Sequence, residues 1–215
     1  MKSSALITCN ALAHILTPLV DPDTLVVQLD INLHVSPDRL RTRLLHEIAL
    51  IERAGLDILL GYGLCGMGTK GLVSKKSRLV LPRVDDCIGA LLGSRERHQE
   101  MLRTCPGCYF LEPSWLHTEL NIFEEILKGL ERFPQKSRNT IIKMALKHYN
   151  TLALLSQNAD TASPAWSQCE QYSKLYQLKL IKLTTDHSLL RRLVSRQWEP
   201  ADFLVMEPGE PIPLF

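Results

Sequence analysis

Six cysteines occur in the 215 residues, and three of them sit where ligand chemistry is expected. Cys9 closes a short apolar run. Cys65 lies inside Gly61-Tyr62-Gly63-Leu64-Cys65-Gly66-Met67-Gly68, and Cys87 directly follows Asp85 and Asp86. Three thiolates leave one coordination position open, which suits a catalytic zinc, an iron–sulfur cluster with an accessible iron, or a metal shared with a substrate. Glycines at 61, 63, 66 and 68 let the backbone approach such a ligand and present amides to an anion or to cluster sulfurs. Cys87 stands at an expected helix N-terminus, where the macrodipole favours a thiolate; its acidic neighbours oppose ionisation unless a cation is bound. Asp86 suits a helix cap or an acceptor just outside the ligands, Tyr62 lines the same loop, and Arg83, Ser94 and Arg95 are candidate anion contacts. Any one buried cysteine is more often a small apolar side chain than a ligand. The shared placement of these three carries the metal reading.

Other motifs are weaker. Gly61, Gly63 and Gly66 spell G-x-G-x-x-G after a strand, but no helix opens on them and no acidic residue about 20 positions on is well placed at the end of a second strand, so a dinucleotide site is not expected. A P-loop lacks its G-K-[ST], and no G-x-S-x-G elbow supports a hydrolase triad. Cys105-Pro106-Gly107-Cys108 has the C-x-x-C spacing of redox, zinc and cluster sites, without the second pair of a zinc ribbon. A Pro-Gly turn between two incidental cysteines is the rival reading. Cys169, near Trp166 and Tyr172, is expected in the core. His14, five residues after Cys9, is the histidine expected nearest the thiols. His46, His98, His117, His148 and His187 show no metal-binding spacing and are assigned to surface or core.

The elements that must position these residues follow from periodicity. Strands are expected at Ala5–Thr8, Leu25–Leu29, Leu56–Leu60, Leu79–Leu81, Cys108–Leu111, Leu152–Leu155, Leu178–Leu183 and Phe203–Met206. Ser36 as N-cap and Pro37 open a helix with Leu40, Leu44, Ile48 and Ile51 on one face and Gly55 as its stop. Asp85 and Asp86 cap a helix running through Ile88, Leu91, Leu92 and Leu102. Two more helices are expected at about 114–132 and 135–149, split by Pro134, and Gln157–Ser163 reads as a linker. Strands alternating with helices predict an α/β fold, a mostly parallel, Rossmann-like sheet flanked by helices. It is read as a single domain, 1–215, with lobes at 1–112 and 113–215 as the alternative division. Open parallel sheets bind ligands outside the carboxyl ends of their strands. Cys9, Cys65 and Cys87 all fall at that edge. The C-x-x-C precedes its strand and belongs to the opposite edge.

Composition removes several function classes. At 45% hydrophobic and 22% charged residues the chain is no disordered polymer, and its length allows a core that needs no staples. A net charge of +2 gives no electrostatic case for nucleic acid or a membrane surface, and 6% aromatic content argues against a base-stacking platform. The apolar run before Cys9 is far shorter than the roughly 7–15 residues of a secretory signal, and no stretch reaches the roughly 20 of a membrane span. A cytoplasmic protein with reduced cysteines is expected.

At these same residues the sequence resembles the uncharacterised domain-of-unknown-function family 1638 of bacteria and archaea. The resemblance rests on Cys9, on Leu60 to Gly68, on Pro82-Arg83 with Asp86-Cys87-Ile88, and on Leu91 to Arg97. Pro106-Gly107-Cys108-Tyr109, Trp198, and Phe203-Leu204-Val205 with Pro208-Gly209 complete it. The chain departs from the family pattern at Asn10, at Asp85 where a His is common, and at Cys105 and Cys108, which are usually not cysteine. The departure at Asp85 weakens any claim that a histidine completes the ligand set there. The resemblance implies no settled activity. It implies an association with corrinoid-dependent methyl-transfer systems, with a corrinoid or methyltransferase protein as partner. The family pattern contains the same three cysteines that the strand-end argument selects.

The leading expectation is therefore a metal or iron–sulfur centre, or zinc, held by Cys9, Cys65 and Cys87, serving one-carbon or methyl-transfer chemistry. One rival is a metal-free enzyme using Cys65 or Cys87 as a thiolate nucleophile on a small substrate. The other is a non-catalytic partner or chaperone protein docking through the helices after Ser114. Substrate, metal, reaction and oligomeric state are not legible in the sequence.

Overall fold

The computed structural model describes residues 4–116, 118, 121–157 and 163–215, and these divide into two compact units. His117 and the interior of the expected linker, 158–162, lie outside the described residues.

The first unit comprises residues 1–98 and 186–215. Strand β1 (Ser4–Cys9) is buried along almost all its length because its Ala-Leu-Ile run is covered on both faces. Helix α1 (Asn10–Leu16) follows it directly, then β2 (Leu25–Leu29), α2 (Pro37–Ile51), β3 (Asp57–Gly61), β4 (Arg78–Pro82) and α3 (Cys87–Leu92). The chain returns later as α8 (Ser188–Val194) and β8 (Phe203–Met206). The sheet order is β2-β1-β3-β4-β8. The first four strands run parallel, and β8 closes one edge antiparallel to β4, pairing Pro82 with Phe203. Helix α8 packs on β3 and β4 and against α1 and α3. The mostly parallel α/β architecture expected from the sequence is present.

Two expectations are corrected in detail. The helix expected from Asp86 through Leu102 is two helices, α3 and α4 (Arg95–Thr104), because Gly93 turns left-handed at φ 84° between them. Helix α2 ends at Ile51 rather than at Gly55, and Ser36 makes no side-chain cap. Glu52 leaves the helix extended, and its carboxylate accepts from the Ser74 hydroxyl at 2.6 Å and the Lys75 amide at 2.6 Å.

The second unit comprises residues 99–185. Its three strands, β5 (Cys108–Leu111), β6 (Thr151–Ser156) and β7 (Lys179–Thr184), are parallel in that order. Helices α5 (Ile122–Leu130), α6 (Gln135–Ala145) and α7 (Pro164–Tyr176) connect them. The helix expected to open at Ser114 begins only at Ile122, after a single 3-10 turn at Pro113–Trp115, with Asn121 as its cap. Phe123, Tyr172 and Tyr176 stack at ring distances of 4.8 and 5.2 Å, and Cys169 is fully buried in this core, as expected. No described helix is long and apolar enough to cross a membrane.

Candidate functional site

Strand order alone selects one crevice in the first unit. From β1 the chain moves outward to β2, and from β3 it moves the other way to β4, so connections diverge between β1 and β3. Ligands of open α/β sheets bind outside the carboxyl ends of strands at such a switch point. Cys9 is the last residue of β1, and Gly61-Tyr62 leads out of β3 into the loop that carries Cys65. Cys87 begins α3, just beyond β4.

The loop after β3 is held from two sides. Leu64 and Cys65 amides donate to the Val84 and Asp85 carbonyls, both at 2.9 Å, which fastens it to the loop after β4. Arg41 of α2 donates to the Met67 and Lys70 carbonyls at 2.8 and 3.0 Å. Cys65, Gly66 and Met67 all adopt positive φ, at 47°, 63° and 75°. For the two non-glycine residues this costs on the order of 1 kcal/mol each, a kind of strain that concentrates at ligand sites. Gly63 is required by contact with the chain itself, since a Cβ there would stand 2.4 Å from the Val84 carbonyl. Gly61 and Gly68 likewise permit close packing, against Thr8 and Leu40. Gly66 meets only Pro37, at 3.7 Å.

Each thiol has a defined setting. Cys9 is buried, and its sulfur accepts from the Ala11 amide at 3.4 Å. Burial pushes it up to about 11, the Ala11 amide opposing and the Asp30 charge adding. Cys65 is buried and pushed up to about 12 by burial, the Gly63 backbone opposing, with Asp86 and Cys9 adding. Cys87 is partly exposed at its residue surface, yet its thiol is raised well above the usual range by burial, by Asp86, and by Cys65 and Cys9. Cys9 thus acts on Cys65, both act on Cys87, and the Asp30 and Asp86 carboxylates push these thiols further up. As the side chains stand, no three His, Cys, Asp or Glu groups among the described residues are assembled to hold a metal ion.

Two neighbours deepen the crevice. Tyr62 is 1% exposed and its hydroxyl has no hydrogen-bond partner among the described residues. Its acidity falls through burial and through the nearby Cys9 and Cys65. His34 stacks on the Tyr62 ring at 6.0 Å, and its Nδ1 lies 3.0 Å from the Ile31 carbonyl. Burial lowers the His34 pKa, with the Ile31 carbonyl and the Asp86 charge opposing. Asp30 caps the turn that carries His34, accepting from the Asn32 amide at 2.8 Å. Sequence reasoning missed His34 and Asp30. The signal was present, because both follow the carboxyl end of β2, where the strand-end argument also applies.

The remaining candidates are engaged by the chain. Asp86 accepts from the Ile88 and Gly89 amides at 2.9 and 3.2 Å as the cap of α3, and lies 3.5 Å from the buried His98. Arg95 pairs with Asp85 at 2.9 Å and stands over Phe215. Arg83 donates to the Phe203 carbonyl at 3.3 Å. The Ser94 hydroxyl accepts from the Arg97 amide at 3.1 Å. His14, expected near the thiols, is exposed in α1.

Comparison with known proteins gives one finding. The model of a family described as a protein of unknown function (DUF1638) matches residues 28–194. The matched span contains Cys65 and Cys87 and leaves Cys9 and β8 outside it. No curated protein and no solved structure gives a significant match.

Proposed function

This chain belongs to domain-of-unknown-function family 1638, and from that starting point we propose that Cys9, Cys65 and Cys87 bind a thiophilic metal, as zinc or an iron–sulfur centre, in the crevice between β1 and β3. The observation that carries the reading is the electrostatic setting of the thiols. Three sulfurs from separate segments lie at one sheet edge, where the Asp30 and Asp86 carboxylates push their pKa values further up. A nucleophilic cysteine needs a depressed pKa and a cationic or helix-end partner, and all three thiols here are shifted the other way. A soft cation reverses that situation: it displaces the thiol protons, gains from the nearby carboxylates, and keeps an open position for a small ligand.

The chain's own residues have separable roles in this reading. Asp86 fixes the start of α3 and so the position of Cys87. The Tyr62 hydroxyl, otherwise unsatisfied, supplies a hydrogen bond to a ligand sulfur or to a bound small molecule. His34 packs against Tyr62 and holds its ring. The thiols are not assembled as they stand, so a bound metal would require Cys9, Cys65 and Cys87 to come together. A corrinoid-linked methyl-transfer partner is the extension that the family resemblance alone supplies.

Metal and acid-labile sulfide content of protein purified without oxygen tests the proposal, beside the variant Cys9→Ala, Cys65→Ala, Cys87→Ala. Stoichiometric zinc, or iron with sulfide, that the variant lacks is the expected result. Metal-free protein that takes up neither zinc nor reconstituted cluster, with thiols that alkylate independently, overturns it.

A further inference from the structure

The second unit holds a cysteine pair that the metal reading leaves unused. Cys105 follows α4, its amide donating to the Met101 carbonyl at 2.8 Å, and Cys108 opens β5. Pro106 and Gly107 form the turn between them, closed by a 3.0 Å bond from the Cys108 amide to the Cys105 carbonyl. The turn is clamped at the start of β6: the Asn150 and Thr151 amides both donate to the Gly107 carbonyl, at 2.9 and 3.2 Å. A Cβ at position 107 would stand 2.7 Å from the Asn150 side-chain nitrogen, so glycine is needed for that close approach. Both cysteines are reduced; Cys105 is partly exposed and Cys108 is 7% exposed. Burial, with the neighbouring Cys105 adding, pushes the Cys108 thiol up to about 12.

We propose that Cys105 and Cys108 form a thiol–disulfide exchange site for small disulfides of the glutathione class. Cys105, the more exposed residue of the pair, loses its proton to water and attacks one sulfur of the incoming disulfide. The disulfide bond breaks, one glutathione thiolate leaves and takes up a proton, and a mixed disulfide stands on Cys105. Cys108 then gives its proton to water and attacks the Cys105 sulfur, and the second glutathione leaves as its thiol. The protein dithiol loses two electrons and two protons in all, and the small disulfide gains them. The clamped turn holds the two cysteines at its ends, so the second step is intramolecular.

The test uses the full chain in buffers of rising oxidised-to-reduced glutathione ratio, quenched in acid, alkylated, and read by mass on the peptide containing residues 105–108. The expected product has lost two hydrogens and carries no glutathione. Cys108→Ser is expected to trap one glutathione on Cys105, and Cys105→Ser to slow modification of Cys108 by roughly tenfold or more. Glutathione remaining on Cys105 in the unsubstituted protein overturns the proposal, because the pair then fails to resolve. Cys108 reacting at an unchanged rate in Cys105→Ser overturns the assigned order, and with it the site.

Discussion

Cys9 and Cys65 show how burial and charge set what a thiol can do. Both begin near an ordinary value of 9 and are pushed up, to about 11 and about 12. The sign of the linkage follows. A thiol whose folded pKa exceeds its unfolded value holds its proton more tightly in the folded protein, so its contribution to stability is complete below about 9 and is lost as pH rises toward 11 and 12. Metal-free protein is therefore expected to alkylate slowly at these positions at pH 8, and to lose stability on titration from pH 9 to 11. Denaturant melts at fixed ionic strength, with timed alkylation and peptide mapping, check this. Metal uptake has the opposite dependence: it releases thiol protons, so apparent affinity rises with pH below 9. Uptake that is indifferent to pH would remove the thiols from the site.

At the scale of the element, α3 joins the cap to the crevice. Asp86 satisfies two amides of α3 while its charge raises both Cys65 and Cys87. Asp86→Asn keeps a side-chain acceptor, so the cap changes by only a few tenths of a kcal/mol, but it removes the charge. Faster alkylation of Cys65 and Cys87 at pH 8, with a small change in melting temperature, is the expected result. Asp86→Ala loses the cap as well and is expected to cost about 1 kcal/mol. Unchanged thiol reactivity in Asp86→Asn would show that burial alone governs these sulfurs. The loop after β3 belongs to the same scale. Its glycines were legible as a ligand-facing string, yet the contacts of Gly61, Gly63 and Gly68 are with Thr8, Val84 and Leu40. The spacing records how tightly this loop packs on its neighbours, and composition has no means of distinguishing that from a ligand cradle.

At the scale of the whole molecule, the first unit is built from two stretches of chain, and a buried carboxylate joins them. Asp57, at the start of β3 and 2% exposed, binds Arg78 at 2.7 Å and Arg196 from the returning segment. Both guanidiniums stand over Trp198, at 5.6 and 5.7 Å. Burial pushes Asp57 up, but Arg78 and Arg196 together hold it below the usual carboxylate value. That contribution is complete above about pH 4 and is lost as pH falls further. Asp57→Asn is expected to cost about 3 kcal/mol, since two guanidiniums lose their shared partner, and to flatten the acid limb of the stability–pH profile. A variant as stable as the parent would mean that β8 pairing and α8 packing hold the returning segment without this carboxylate.

The sequence by itself determined the strands, the reading of a parallel α/β sheet, and the three cysteines at its carboxyl edge. These are local properties: apolar runs, caps and turn residues act over a few positions of chain. Ile7 and Leu59 read as buried because continuous apolar runs admit little else. Only the tertiary structure decided that β1 and β3 are neighbours with the switch point between them, that β8 returns antiparallel beside β4, and that His34 stacks on Tyr62. It also decided that the Asp30 and Asp86 carboxylates stand near the thiols. Strand order and the fields of distant charges depend on which segments meet in space. Asp30 and His34 lie far along the chain from Asp86, and no periodicity connects them.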